Sequence, residues 1–548
     1  MDEQIKTQRE LEIEDLVSGL GALSEDTKPK KEKKEKAGGG KSLKRSTKAL
    51  IAGLIVIVVL APAAFLFTKY APAGESSAPE SSGEEETIAL FEGPTVSNIT
   101  QIKVDNGETY TIDFDSITPA TDDVAAVRNY KVSELKDLPQ DEFAISGAVD
   151  FAAALSAKEL VVENPTEEDF EKYGFTSPTA TIVIKADIAK ADETRVSKDF
   201  TVKYGVKVAT GTEIYVTSDT KGGIYRASDD AFITYNKEYY VDDTLIPSFL
   251  EDGQTAVEAK SFTVSRARQD DLTLEKYSGG EIKNFVNTPA YQLTAPFTYT
   301  ALEERATGLF SKLPGFRADG AVKVFPSAAD KTEYGLDNPE AQVSIVCSND
   351  KTYKLLVGKR HIETTEYLDD TGSSVVYDAE YNYIMLDGVD CVFEILTANL
   401  EFSELTIDEF LYGLIFLPIM DNLKTLDVNF PNENWHTSFE GESEGIKIKL
   451  NDKVINSENF RTFFQLLVGV NCTGNGFGET ETGECLLTVD GVFKDGEAFK
   501  YEFYDFGGRN VLVKKNGTAI VLANKSYVEK VAQQIKNAYS DTPVDAVL

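Results

Sequence analysis

The chain is poor in the residues that most often carry chemistry: its 548 positions hold two histidines, four cysteines, three methionines and one tryptophan. His361 and His436 stand in unrelated sequence surroundings, so both are read as packing or surface residues rather than catalytic bases. Cys347, Cys391, Cys472 and Cys485 form no CxxC pair and none sits beside a histidine, which leaves zinc, and any other metal or cofactor, without support. Cys472 and Cys485 flank a glycine-rich stretch and are placed to close a short loop in an oxidising compartment; whether they are bonded stays open. A phosphate-binding loop is excluded, because AGGGKS at 37–42 has Glu35 where the motif requires its first glycine.

Positive charge is scarce over most of the chain. Residues 1–48 hold 12 Lys+Arg and 10 Asp+Glu, whereas the remainder holds 43 and 81. Such a surface repels phosphate backbones, so nucleic acid is not an expected partner. The many carboxylates single out no catalytic pair, and Asp242-Asp243 and Asp369-Asp370 lack the spacing of a calcium loop.

Long apolar runs are equally scarce, and one stands out. Residues 49–68, ALIAGLIVIVVLAPAAFLFT, carry no charge and are long enough to span a bilayer as a helix. Residues 28–48 before them hold ten Lys+Arg, and residues 75–86 after them hold five Glu and no base. The positive-inside rule therefore predicts a single-pass plasma-membrane protein with a cytoplasmic N-terminus and an extracytoplasmic C-terminal region. Ala61-Pro62-Ala63 offers the alternative of a cleaved leader, disfavoured by the long segment ahead of it. Leu16, Leu20 and Leu23 fall at helical spacing in an otherwise disordered tail and are candidate docking residues. The run LYGLIFLPIM at 411–420 is too short to cross and reads as a buried helix or strand.

Beyond an acidic spacer at 69–92 the sequence repeats. Alternating strand pairs open each unit at 99–114, 261–277 and 423–439. Helical periodicity follows in FAAALSAKELV at 151–161, LEERATGLFSKL at 302–313 and ENFRTFFQLLVGV at 458–470. EKYGFTSPTATIVI at 171–184 and TEYGLDNPEAQVSIV at 332–346 then share a Tyr-Gly followed by a proline turn and a strand, which makes Tyr173, Gly174, Pro178, Tyr334, Gly335 and Pro339 repeat-defining. A closing meander reads FTVKYGVK, EIYVTSD, GGIYRAS in the first unit, YKLLVGKR, EYLDD, SSVVYDAE in the second and YEFYDFGGR, VLVKK, TAIVLANK in the third, with Gly205, Gly358 and Gly507 at corresponding places. The predicted fold class is α+β: a transmembrane helix, then tandem modules at 93–255, 256–420 and 421–548, the last divergent, each an antiparallel sheet with a helix on one face.

The YGLDNP string, the LLVGKR strand and the EYL and VVYDAE segments resemble the DUF4340 family, most clearly across 300–386, less across 150–235 and weakly across 421–535. That resemblance implies a bacterial extracytoplasmic envelope protein with no assigned catalytic residues, often encoded beside ABC-type transport systems. The expected function is non-enzymatic: modules presented for protein interaction, with the bilayer, ABC transporter subunits or other envelope proteins as partners. A transmembrane sensor and a cell-wall polymer hydrolase are the alternatives.

Overall fold

The computed structural model describes residues 87–547 except 121–125, 191–193, 209–211, 230–234, 251, 281, 287, 369–373 and 442–444. The described residues belong to one compact unit, 85–548. The tail with Leu16, Leu20 and Leu23, and the apolar segment 49–68, lie outside the described residues. Among the described residues no helix is long and apolar enough to cross a membrane.

This unit is built on three large antiparallel sheets. Strands β1 (Ile88–Ala89), β2 (Ile99–Asp105), β3 (Thr109–Thr118), β4 (Val127–Val132), β5 (Ser156–Ala157), β6 (Glu159–Val162), β7 (Ala180–Ala189), β8 (Arg195–Lys207), β9 (Glu213–Ser218) and β10 (Ile224–Ser228) come first. Then follow β11 (Ala259–Arg266), β12 (Leu272–Lys276), β13 (Tyr291–Ala295), β14 (Tyr299–Thr300), β15 (Gly320–Val324), β16 (Ala341–Cys347), β17 (Thr352–Leu368), β18 (Ser374–Leu386) and β19 (Cys391–Leu396). The last group is β20 (Leu423–Phe430), β21 (Glu433–Glu440), β22 (Lys447–Leu450), β23 (Lys453–Val454), β24 (Cys472–Asn475), β25 (Cys485–Phe493), β26 (Ala498–Asp505), β27 (Asn510–Lys515) and β28 (Thr518–Asn524).

One strand order serves all three sheets, the first having no counterpart of the outermost strands β14 and β23: β4-β3-β2-β7-β8-β9-β10-β6, β14-β13-β12-β11-β16-β17-β18-β19-β15 and β23-β22-β21-β20-β25-β26-β27-β28-β24. In each, an opening hairpin lies beside a four-strand meander, and a strand made between them crosses over to pair with the last strand. Alternation makes this possible: in β16, AQVSIVC, every second side chain is buried, and β7 repeats the pattern through ATIVIKA. Asn516-Gly517, both at positive φ, turns β27 into β28.

Helices fill the crossovers: α1 (Glu142–Ala153), α2 (Glu167–Lys172), α3 (Glu303–Lys312), α4 (Ala328–Glu333) and α5 (Ser457–Val468); α6 (Lys525–Ser540) follows the last strand. Asp141 caps α1 through the amides of Phe143 and Ala144, and α1 packs on β2 and β4. In α5 the buried Phe460, Phe463, Phe464, Leu466 and Leu467 form the apolar face, which meets β22 and α6. One continuous apolar core runs from Leu90 to Ala538 through all three sheets.

Several expectations are corrected. Residues 155–162 are not helical: α1 ends at Ala153, Leu155 accepts the Leu90 amide, and β5 and β6 pair with β1 and β10. The same contacts take residues 88–90 out of the spacer and into the fold. EYLDD is no separate strand, because β17 runs unbroken through Leu368; the fourth meander strand is β19. Segment 411–420 is neither helix nor strand but a strap, bridged at Leu411 to Ala301, at Leu414 to Asn471 and at Pro418 to Phe285. All four cysteines are free thiols, Cys472 on β24 and Cys485 on β25.

Candidate functional site

The Tyr-Gly strings prove to be helix stops. Thr166 with Asp169, and Ser327 with Asp330, form capping boxes that start the six-residue helices α2 and α4. Each helix then ends with its tyrosine at the C-cap and its glycine beyond, at φ +85° for Gly174 and +74° for Gly335. The Gly174 amide donates to Glu171 and the Phe175 amide to Phe170; Gly335 and Leu336 repeat this with Thr332 and Lys331. Both are Schellman closures, for which glycine avoids the cost of a left-handed backbone. Pro178 and Pro339 sit just before the sheet resumes, where the Thr179 amide donates to Tyr204 and the Glu340 amide to Val357.

Gly205 and Gly358 complete the device. Each lies in a bulge, between Tyr204 and Lys207 on β8 and between Val357 and Arg360 on β17. The bulge frees the amides of Val206 and Lys359 to donate to the carbonyls of Tyr173 and Tyr334, at 3.0 and 2.9 Å. A Cβ on Gly205 or Gly358 would lie 2.1 or 2.3 Å from those same carbonyl oxygens. Gly507 is different: it follows β26 in a turn, at φ +86°, with nothing within 4 Å of a Cβ. Tyr504 pairs with Cys485 as Val357 pairs with Ala341, and the residue after it is Asp505; the third sheet has no Tyr-Gly stop for a glycine to accommodate.

Against the second stop lies a cluster that sequence reasoning dismissed. Tyr334 packs on Tyr383 of β18, with ring centroids 4.5 Å apart. Tyr383 stacks on His361 of β17 at 4.2 Å and 9°, and Tyr381 lies on the same imidazole at 5.7 Å and 26°. His361 faces Tyr381 across the β17–β18 pair, while Tyr383 faces Glu394 across the β18–β19 pair. Alternation then puts Glu363 on the face of His361. The His361 Nε2 lies 3.3 Å from the Glu394 carboxylate, and one donor atom from each of His361, Glu363 and Glu394 falls within 4.8 Å of the others. This is the group of three metal-capable side chains among the described residues.

The cluster is electrically one-sided. Burial raises the Glu394 pKa above the usual carboxylate range; the Glu363 and Asp319 charges push the same way, against the lowering effect of His361. Tyr383 and Tyr381 are raised by burial and by the neighbouring carboxylates. Lys359 brings no relief, since its ammonium donates to the carbonyls of Thr332 and Glu333 at the end of α4. An imidazole stacked on tyrosine rings beside two carboxylates can bind a cation.

The other candidates resolve differently. Asp243 accepts from Arg317 Nε at 2.7 Å, so a guanidinium stands where a calcium ion was considered. His436 is exposed, its Nδ1 2.5 Å from Asp427. Asp369 and Asp370 lie outside the described residues. A cavity of about 750 Å³ between the second and third sheets is walled by Phe285, Tyr299, Phe416, Tyr501, Glu497 and Lys515. Burial pushes the Lys515 pKa down, with Glu497 opposing, and the ammonium makes no ion pair among the described residues.

A lysine with a lowered folded pKa binds its proton less tightly folded than unfolded, so its stability contribution rises as pH climbs from the folded value toward the unfolded one. Lys515→Met removes the buried charge and is expected to stabilise the chain by about 1 kcal/mol at pH 7. Thermal melts read the outcome; a lower melting temperature would mean that the ammonium has an unrecognised partner.

The family model described as a domain of unknown function, DUF4340, matches residues 131–339. The match begins in β4 and stops just before β16, so it contains both Tyr-Gly stops and leaves out His361, Glu363 and Glu394. No curated protein and no solved structure matches the chain.

Proposed function

We propose, with the DUF4340 domain as premise, that this chain is a non-enzymatic, single-pass membrane protein of the bacterial envelope. On this reading residues 49–68 cross the plasma membrane, the N-terminus is cytoplasmic, and modules 93–255, 256–420 and 421–548 are held outside for protein interaction, accessory to an ABC-type transport system. The observation that carries the interaction role is the recurrence of one strand order in three sheets that share a single core. Repetition without a repeated polar site suits a platform more than an enzyme. The β17–β18 ribbon adds a surface to present: it continues beyond the last pair with β16, and Ile362, Val376 and Tyr377 on it are 60% exposed or more.

The test has two arms. In cells, protease added from outside should digest the region beyond residue 87 and leave an N-terminal epitope intact; an externally digested epitope overturns the topology. A photo-cross-linker at Ile362 in the full chain should then capture an integral subunit of a transporter. Ile362→Asp with Val376→Asp should lower the co-purified subunit by more than about tenfold, as loss of central apolar contacts does. Undiminished co-purification would remove the ribbon from the interface, and turnover of cell-wall polymer by the purified chain would replace the platform with a hydrolase.

A further inference from the structure

We propose that His361, Glu363 and Glu394 form a binding site for one first-row divalent transition cation, with Zn²⁺ preferred. The site lies outside the matched family segment and does not depend on the membrane topology or the partner proposed above.

Position comes first. His361 and Glu363 share one face of β17 by strand alternation, and Glu394 reaches that face from β19, two strands away. Their donor atoms lie within 4.8 Å of one another, and a tetrahedral ion with bonds of about 2.0–2.2 Å asks for donors roughly 3.4 Å apart. The remaining approach is small and falls to Glu363, whose side chain is exposed and therefore free to change rotamer. His361 has no such freedom: the Tyr383 ring lies almost parallel to it at 4.2 Å and Tyr381 stacks at 5.7 Å, so the imidazole is already oriented. A ligand fixed before binding loses less entropy on coordination.

Charge comes second. Glu363 and Glu394 share no lysine or arginine partner among the described residues; Lys359 is committed to backbone carbonyls, and Arg360 pairs with Glu380 and Glu404. Asp319 adds a third carboxylate beside Glu394, its own hydrogen bond coming from the Leu396 amide at 2.6 Å. A dication would neutralise this cluster where the chain supplies only an imidazole.

The donor set selects the ion. One imidazole and two carboxylates suit Zn²⁺, with the fourth position open toward solvent. Ca²⁺ and Mg²⁺ are hard ions that call for six or more oxygens, so the nitrogen and the low donor count disfavour both. The second ring nitrogen, Nδ1, is buried with no hydrogen-bond partner among the described residues. Zinc-binding histidines normally donate that proton, and losing the outer bond weakens affinity by about 10–100-fold. The expected affinity is therefore micromolar rather than nanomolar.

The experiment is titration of the full chain in detergent with ZnCl₂, by calorimetry and by competition with a chromophoric chelator, after dialysis against EDTA. One equivalent should bind. His361→Gln and Glu394→Gln should each weaken that event by more than about tenfold, the scale set by losing a metal ligand or its support. Glu363→Gln, at an exposed position that the fold tolerates, should weaken it too, and His436→Gln should leave it unchanged. Co²⁺ in place of Zn²⁺ should give the intense visible bands of a four-coordinate ion, absent in His361→Gln. Saturating CaCl₂ or MgCl₂ should not displace the Zn²⁺. Binding that survives all three ligand substitutions, or a Zn²⁺ affinity no tighter than that for Ca²⁺, would overturn the site and leave only the general attraction of an acidic surface.

Discussion

Gly358→Ala is expected to destabilise the chain by about 3 kcal/mol, the upper range for forcing a group into filled space. The added methyl would stand 2.3 Å from the Tyr334 carbonyl oxygen, close to Leu336 as well. Backbone occupies that space, not the end of a flexible side chain, so relief requires the Tyr-Gly stop to move away from β17. Moving it breaks the 2.9 Å bond from the Lys359 amide and shifts Leu336 from its contacts with Met385 and Val392. Gly205→Ala should behave alike, because the corresponding distance to Tyr173 is 2.1 Å. Gly507→Ala is the control: its space is open, only the positive φ opposes a side chain, and about 1 kcal/mol is expected. Amide hydrogen exchange reads the difference locally. Protection at Lys359 and Leu336 should fall in Gly358→Ala and hold in Gly507→Ala; equal protection in both would mean that the stop yields without cost.

Tyr527→Ala is expected to cost about 3–5 kcal/mol, and Tyr527→Phe about 1–3 kcal/mol. The ring is 2% exposed and packs against Phe503 at 5.5 Å, so truncation opens a cavity between α6 and the third sheet. Its hydroxyl donates to the Leu467 carbonyl at 2.7 Å. That carbonyl belongs to the last turn of α5, which has no intrahelical donor to offer it. Phenylalanine keeps the packing and orphans the carbonyl, so the two variants separate shape from hydrogen bonding. Denaturant melts of the full chain measure both. A Phe variant as stable as the parent would show that another donor reaches Leu467.

The opening hairpins were legible because alternation and turn residues are local: the segments at 99–114, 261–277 and 423–439 all fall in paired strands. Helices α3 and α5 were legible for the same reason, through spacing. The segment 151–161 misled because Ala-rich spacing continues past Ala153, whereas its backbone is claimed by β1 and β10, far away in sequence. Helices α2 and α4 were overlooked although the capping-box spacing at Thr166–Asp169 and Ser327–Asp330 was there to read. Tyr173, Gly174, Tyr334 and Gly335 were visible in the sequence as a pair of strings, but the carbonyl contact that ties them to Gly205 and Gly358 needs the fold. The His361–Glu363 half of the cluster could have been found by alternation on a strand. Glu394 could not, since only the return of β18 onto β19 brings it near.

The crossover strand of each sheet sets a schedule for synthesis. β6, β15 and β24 leave the ribosome early, yet each pairs with the strand made last in its sheet: β10, β19 and β28. Until Ser228, Leu396 and Asn524 have been added, those three segments have no sheet partner, and they must wait while the intervening meander is made. A waiting strand is equally a template for the same final strand of a neighbouring nascent chain. Crowded translation should therefore favour exchange of the closing strands between copies, producing interlocked dimers, while slow synthesis favours each chain closing on itself.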